Sequence, residues 1–136
     1  MKILIVEDSK MIRISIERSL TKAGWQATGV GDGKEGLLLA QQMRPDAILL
    51  DMMLPSMDGT AVLRELKRDP ATASIPVVVL SGLSQRNEEK LITAGASAYF
   101  EKSTLNLEDN ARPLINLVRE LVAERKSQRS ATGAGH

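Results

Sequence analysis

Asp51 is a single carboxylate within a run that is otherwise apolar, with Ile48-Leu49-Leu50 on one side and Met52-Met53-Leu54 on the other. Such a run is typical of a strand buried on both faces, and burying a lone carboxylate is costly unless it meets a partner, a metal ion or a proton. The chain has no cysteine, and its only histidine is His136, so carboxylates, hydroxyls and amines must supply any chemistry. The partner of Asp51 should therefore be one of these groups.

Other residues of suitable chemistry follow similar apolar runs. Glu7 and Asp8 come after the first run, Ser81 after the fourth and Lys102 after the fifth. If these runs form parallel strands, their carboxyl ends meet at one edge of the sheet, where open α/β sheets bind ligands. Clustered carboxylates favour a hard divalent cation such as Mg²⁺. Because carboxylates form aspartyl-phosphates and phosphoryl transfer depends on charge neutralisation, we predict that Asp51 accepts a phosphoryl group.

The elements that would position these residues alternate along the chain. Apolar runs predict strands at 2–6, 27–30, 47–50, 76–80 and 98–100. Apolar residues at helical spacing predict helices from Ser9 to Gly24, over 34–43, around 62–69, over 84–95 and around 114–122. This alternation predicts a single α/β domain, a doubly wound parallel sheet with five helices distributed over both faces.

The composition fits one soluble domain and excludes several classes of function. The chain has 136 residues, of which 43% are hydrophobic, and 18 basic against 17 acidic side chains give a net charge of +1. This balance gives no reason to propose nucleic acid or a membrane as a direct partner. The early acids argue against a signal peptide, and no apolar run is long enough to span a membrane. We expect a cytoplasmic protein with a folded domain over 1–125 and a flexible tail over 126–136, where the apolar periodicity ends.

Four motifs, in order along the chain, resemble those of a known family. They are ILIVED at 3–8, DMMLPSMDG at 51–59, VVLSG at 78–82 and GASAYFEK at 95–102. Over roughly residues 2–122 the chain resembles the receiver domains of bacterial response regulators, the CheY-like superfamily. The resemblance implies a flavodoxin-like sheet of five parallel strands in the order 2-1-3-4-5. It also implies phosphorelay signalling in which Asp51 takes a phosphoryl group from the phosphohistidine of a sensor histidine kinase or a phosphotransfer protein.

The resemblance further implies a magnesium site next to the phosphoacceptor. Asp8 and Asp51 would bind Mg²⁺ directly, together with the backbone carbonyl of Met53. Glu7 would act through a bound water molecule. Mg²⁺ is the one cofactor that the resemblance implies.

Three other residues have roles that the resemblance implies. Lys102 and Ser81 would contact the phosphoryl oxygens, and Ser81 and Tyr99 would form the switch that changes a protein-binding surface. The partner on that surface would be a downstream protein or a fused output domain, and phosphorylation could also drive homodimerisation. The domain would not be an enzyme beyond its own phosphotransfer and dephosphorylation.

One departure from the family pattern leaves an alternative open. Ser103 follows Lys102, where the family usually has a proline after a cis peptide bond. A cis bond before serine would cost about 3 kcal/mol, so either this strain is kept or the loop takes another path. The alternative is a receiver-like interaction module that signals without phosphorylation. A Mg²⁺-dependent phosphohydrolase is a weaker alternative, because such enzymes need an acid where this chain has Met53.

Overall fold

Strands and helices alternate along the chain, as the sequence predicts. The computed structural model describes residues 1–82, 92–102 and 111–134, which contain five strands and four helices. In chain order the elements are β1 (Lys2–Val6), α1 (Lys10–Lys22), β2 (Gln26–Val30), α2 (Gly33–Met43), β3 (Ala47–Asp51), α3 (Gly59–Arg68), β4 (Val77–Ser81), β5 (Ala98–Glu101) and α4 (Arg112–Ala134).

The five strands form one parallel sheet in the order β2-β1-β3-β4-β5, which confirms the predicted sheet type and strand order. β1 pairs with both β2 and β3, so the chain builds the sheet first on one side of β1 and then on the other. The carboxyl ends of β1 and β3 lie side by side, with Val6 paired to Leu50. This reversal of strand order creates the crevice in which doubly wound sheets bind ligands.

Each face of the sheet has its own hydrophobic core. Within β1, Leu4 and Val6 join the core under α2 and α3, whereas Ile3 and Ile5 join the core under α1 and α4. All four side chains are buried, because successive residues of a strand point to opposite faces and both faces are covered by helices. This explains why the strand sequences are nearly continuous in Ile, Leu and Val.

Local sequence signals set the ends of the first helix. Ser9 caps α1, and its side-chain oxygen accepts a hydrogen bond from the backbone N–H of Ile12 at 3.4 Å. Gly24 follows the end of the helix with φ of 89°, a conformation that glycine adopts at little cost. Both ends agree with the predicted helix from Ser9 to Gly24.

The strands β3 and β4, which carry Asp51 and Ser81, each end one residue later than predicted. Asp51 is the last residue of β3 and pairs with Leu80, and Ser81 is the last residue of β4 and pairs with Glu101. A polar side chain at the end of a strand interrupts the apolar pattern of the sequence but not the backbone pairing. The apolar pattern therefore ends one residue before each strand does. Both side chains are therefore held by the sheet and not by the loops that follow.

The helices differ more from the prediction than the strands do. The predicted helix over 84–95 lies mostly outside the described residues, which include helical Ile92 and Thr93. α4 runs on to Ala134, well past Arg125. The flexible tail over 126–136 stays a prediction. None of the described helices is both long enough and apolar enough to cross a membrane.

Candidate functional site

Asp51 has the partner that its burial requires. Its side chain is only 3% exposed, and its Oδ1 atom lies 2.9 Å from the Nζ atom of Lys102. The same oxygen accepts a hydrogen bond from the backbone N–H of Met53 at 3.1 Å. Because β4 lies between β3 and β5, the Lys102 side chain crosses the end of β4 to reach Asp51. The structure therefore brings together the amine and the carboxylate that the sequence placed at separate strand ends.

Glu7 is a second buried carboxylate at this edge of the sheet. Its side chain is fully buried, with Oε1 at 2.7 Å from the Nζ atom of Lys102. Its Oε2 accepts a hydrogen bond from the backbone N–H of Ser9 at 3.0 Å. Burial raises the pKa of Glu7, and a hydrogen bond with Asp51 raises it further. The raised pKa means that Glu7 keeps its proton to higher pH than an exposed glutamate does.

Lys102 is the cation that bridges the two carboxylates. Burial alone would lower its pKa, but the hydrogen bonds to Glu7 and Asp51 outweigh burial, so the pKa of Lys102 is raised. Its side chain is 19% exposed and stays charged near neutral pH. One ammonium group faces two carboxylates, so the cluster carries a surplus of negative charge when both acids are ionised.

The donor atoms suit a hard cation, although the three predicted acids do not all meet. Asp8 is exposed, and no three acidic or histidine side chains among the described residues are grouped closely enough to hold a metal ion. One observation still fits a cation: two buried carboxylates share a single ammonium group, that of Lys102. Carboxylate oxygens are the ligands that Mg²⁺ prefers. Asp8 is the donor that would have to turn inward.

The remaining predicted residues lie at different distances from this cluster. Ser81 is buried at the same edge, at the end of the neighbouring strand β4. Met53 directly follows the site and its side chain is 67% exposed. Tyr99 lies within β5 and packs, partly buried, against the core under α2 and α3. Ser103, and with it the Lys102–Ser103 peptide bond, lies outside the described residues.

Two contacts at this edge were missed at the sequence level. Arg13 donates a hydrogen bond from Nη1 to the backbone carbonyl of Glu7 at 2.8 Å. Ser56, in the loop after β3, donates from its hydroxyl to Oδ1 of Asp32 at 2.7 Å. Neither residue lies at the end of an apolar run or in a role that the resemblance implies. The helical spacing of Arg13, one turn after Ser9, could have placed it near the strand ends.

The sequence matches known proteins over most of its length. Residues 3–109 match the profile of the family described as response regulator receiver domain. The chain is 39% identical over 102 residues to the DNA-binding dual master transcriptional regulator RpaA of Synechocystis. The aligned segment covers 74% of this chain and 42% of that regulator. The chain spans less than half the length of the curated relatives that it matches.

The fold also matches solved structures. The receiver domain of the Francisella response regulator 1452 superposes with a TM-score of 0.79 at 30% identity, covering 90% of this chain and 97% of that domain. The receiver domain of the sensor histidine kinase PA1611 from Pseudomonas aeruginosa superposes with a TM-score of 0.78 at 27% identity, with 90% and 97% coverage. The latter structure has a magnesium ion coordinated in its active-site cleft.

Proposed function

Because the chain belongs to the family of response regulator receiver domains in two-component signalling, we propose that Asp51 accepts a phosphoryl group from a phosphohistidine. The donor is a sensor histidine kinase or a phosphotransfer protein. A carboxylate oxygen of Asp51 attacks the phosphorus, the P–N bond to histidine breaks, and an acyl-phosphate P–O bond forms. The observation that carries this proposal is the buried ion pair between Asp51 Oδ1 and Lys102 Nζ at 2.9 Å.

Lys102 and Ser81 act on the oxygens of the transferred group. The ammonium group of Lys102 already touches the accepting carboxylate, so it needs only a small shift to neutralise charge on a phosphoryl oxygen. The hydroxyl of Ser81 is a hydrogen-bond donor at the adjacent strand end. The support for both roles is that Ser81 ends the strand paired with β3, and that Lys102, which follows β5, reaches Asp51 at 2.9 Å.

A divalent cation fits the remaining charge of the site. Asp8, Asp51 and the backbone carbonyl of Met53 would hold Mg²⁺ directly, and Glu7 would act through a water molecule. When bound, Mg²⁺ would supply positive charge against the oxygens of the phosphoryl group. The support is the surplus of carboxylates over amines. A relative of similar fold holds magnesium in its cleft.

The outcome of phosphorylation is a changed protein-binding surface. A phosphoryl group adds a dianion with strong acceptor oxygens, which draws Ser81 toward the site and lets Tyr99 rotate inward. The surface so altered binds a downstream protein, a fused output domain or a second copy of the chain. The support is that curated relatives are longer than this chain, and that RpaA is a DNA-binding regulator.

The test is intact mass spectrometry after incubation with acetyl phosphate and Mg²⁺. We expect one phosphoryl adduct on the wild-type chain, labile to hydroxylamine and dependent on Mg²⁺. Asp51→Asn removes the accepting carboxylate and should carry no adduct. Asp69→Asn, which alters a carboxylate at the far end of α3, should carry the adduct as the wild type does.

Two other outcomes would contradict the proposal. Absence of an adduct with acetyl phosphate and with a panel of sensor kinases, together with no Mg²⁺ binding in calorimetry, would favour the phosphate-independent interaction module. Repeated turnover of small phosphoesters would favour a phosphohydrolase. An adduct that persists in Asp51→Asn would place the phosphoacceptor elsewhere.

A further inference from the structure

Arg13 is an arginine of the candidate site whose role the proposed function does not use. It lies near the start of α1, and its Nη1 atom donates to the backbone carbonyl of Glu7 at 2.8 Å. That carbonyl belongs to the peptide bond that joins Glu7 to Asp8. Within the described parts of the chain, no carboxylate lies at salt-bridge distance from Arg13. The carbonyl is therefore the polar group that holds the guanidinium in place.

Two glycines leave the space that the Arg13 side chain fills. A Cβ atom at Gly29 would meet Oε1 of Glu17 first, and would come 2.7 Å from Cγ and 2.9 Å from Cδ of Arg13. A Cβ atom at Gly31 would come 2.8 Å from Nη1. Real Cβ atoms essentially never approach other heavy atoms this closely. The space beside Gly29 and Gly31 is thus occupied by the side chains of Arg13 and Glu17, and the guanidinium group lies against Gly31.

The peptide that Arg13 holds has no other fixed partner on its carbonyl side. The backbone N–H of Glu7 donates to the carbonyl of Val30 at 3.0 Å, so β2 fixes the amino side of Glu7. Its carbonyl lies beyond the last residue of β1, and among the described residues only Arg13 donates to it. The hydrogen bond therefore fixes the carbonyl of the peptide that joins Glu7 to Asp8, at the point where the chain leaves β1.

We infer that Arg13 is a positioning residue for the Glu7–Asp8 acid pair and thereby sets the Mg²⁺ affinity of the site. This inference rests on the proposed role of these acids in holding Mg²⁺. Partners that orient metal ligands typically contribute 10- to 100-fold to metal affinity. Because Arg13 acts on the backbone and not on a carboxylate, we expect about a tenfold effect, the lower end of that range.

The sign of the effect separates positioning from simple electrostatics. If Arg13 orients the acids, its removal weakens Mg²⁺ binding. If it acts only as a nearby positive charge, its removal lowers repulsion and strengthens Mg²⁺ binding. Arg13→Met removes both the hydrogen bond and the charge while keeping much of the aliphatic stem. Gly31→Ala keeps every charge and displaces the guanidinium through the added Cβ atom.

The experiment is isothermal titration calorimetry of Mg²⁺ into the full chain, with thermal unfolding measured in parallel. We expect Arg13→Met to bind Mg²⁺ about tenfold more weakly, and Gly31→Ala to weaken binding in the same direction. Arg18→Met is the matched control, because Arg18 is an exposed arginine of the same helix, and its affinity should equal that of the wild type.

Unchanged or tighter Mg²⁺ binding by Arg13→Met would overturn the inference. A lower melting temperature with unchanged affinity in both variants would also overturn it, since Arg13 would then serve stability alone. If Arg13→Met does not fold, Gly31→Ala decides between the same outcomes. Absence of Mg²⁺ binding by the wild-type chain would overturn the proposed function, and this inference with it, whereas wild-type binding with unaffected variants would overturn the inference alone.

Discussion

Ser56 adopts a backbone conformation that is uncommon for a residue with a side chain. Its φ is 62°, in the left-handed region, which serine adopts less often than glycine or asparagine does. Its hydroxyl donates to Oδ1 of Asp32 at 2.7 Å, and the same oxygen accepts the backbone N–H of Lys34 at 2.7 Å at the start of α2. The loop that carries Met53 is therefore tied to the neighbouring helix by one side chain.

This contact predicts a measurable change at Asp32. The hydrogen bond from Ser56 is the largest cause that lowers the pKa of Asp32 below its usual 3.8, so Ser56→Ala should raise it toward that value. Because the folded-state pKa is lowered, Asp32 stabilises the fold above pH 3.8 and loses that contribution as pH falls through the folded pKa. Titration of the carboxyl carbon by NMR measures the shift. An unchanged midpoint in Ser56→Ala would contradict the contact, and the distant Ser127→Ala serves as control.

The turn between α3 and β4 depends on a half-buried lysine. Lys67 donates from Nζ to the carbonyl of Ala73 at 3.1 Å and to that of Ile75 at 3.0 Å. Burial lowers the pKa of Lys67, and the charge of Arg125 lowers it further. The amine thus ties the end of a helix to the entry of a central strand, while its own charge opposes folding.

This arrangement predicts a pH-dependent stability difference between the wild type and Lys67→Met. Loss of the two hydrogen bonds should cost about 1 kcal/mol at neutral pH. As pH rises through the folded pKa toward 10.5, the unfolded state binds more protons than the folded state, so the wild type should gain stability relative to the variant. Urea unfolding at several pH values measures this. A stability advantage of the wild type over Lys67→Met that shrinks with rising pH would contradict this prediction. Lys34→Met is the control, because it removes one lysine charge from the surface.

The sequence predicts the strands more reliably than it predicts which side chains enter the candidate site. A parallel strand buried on both faces needs a continuous apolar run, so 2–6 could be assigned from composition alone. Glu7 and Asp8 are adjacent acids of equal chemistry, yet Glu7 is buried and Asp8 is exposed. Which of the two acids is buried depends on where β1 ends, and an apolar pattern does not locate that end to the residue. The reach of Lys102 across β4 likewise follows from strand order and not from a motif.

At the scale of the whole molecule, the sheet separates two cores that must unfold together if the domain is one cooperative unit. Leu49 and Leu50 are adjacent in β3, both fully buried, and face opposite cores. Trp25, the only tryptophan, packs against the core under α1 and α4, which contains Leu49. Its fluorescence therefore reports directly on one face of the sheet and not on the other.

We expect Leu49→Ala and Leu50→Ala each to lower the free energy of unfolding by about 3 kcal/mol, the usual cost of such a truncation in a packed core. If the two faces unfold together, both variants should shift the Trp25 fluorescence midpoint in urea equally, and circular dichroism should give the same midpoints. Leu38→Ala, at a 53% exposed position, should change stability by less than about 0.5 kcal/mol. A Leu50→Ala variant with a lowered dichroism midpoint but an unshifted Trp25 transition would show that the two cores unfold separately.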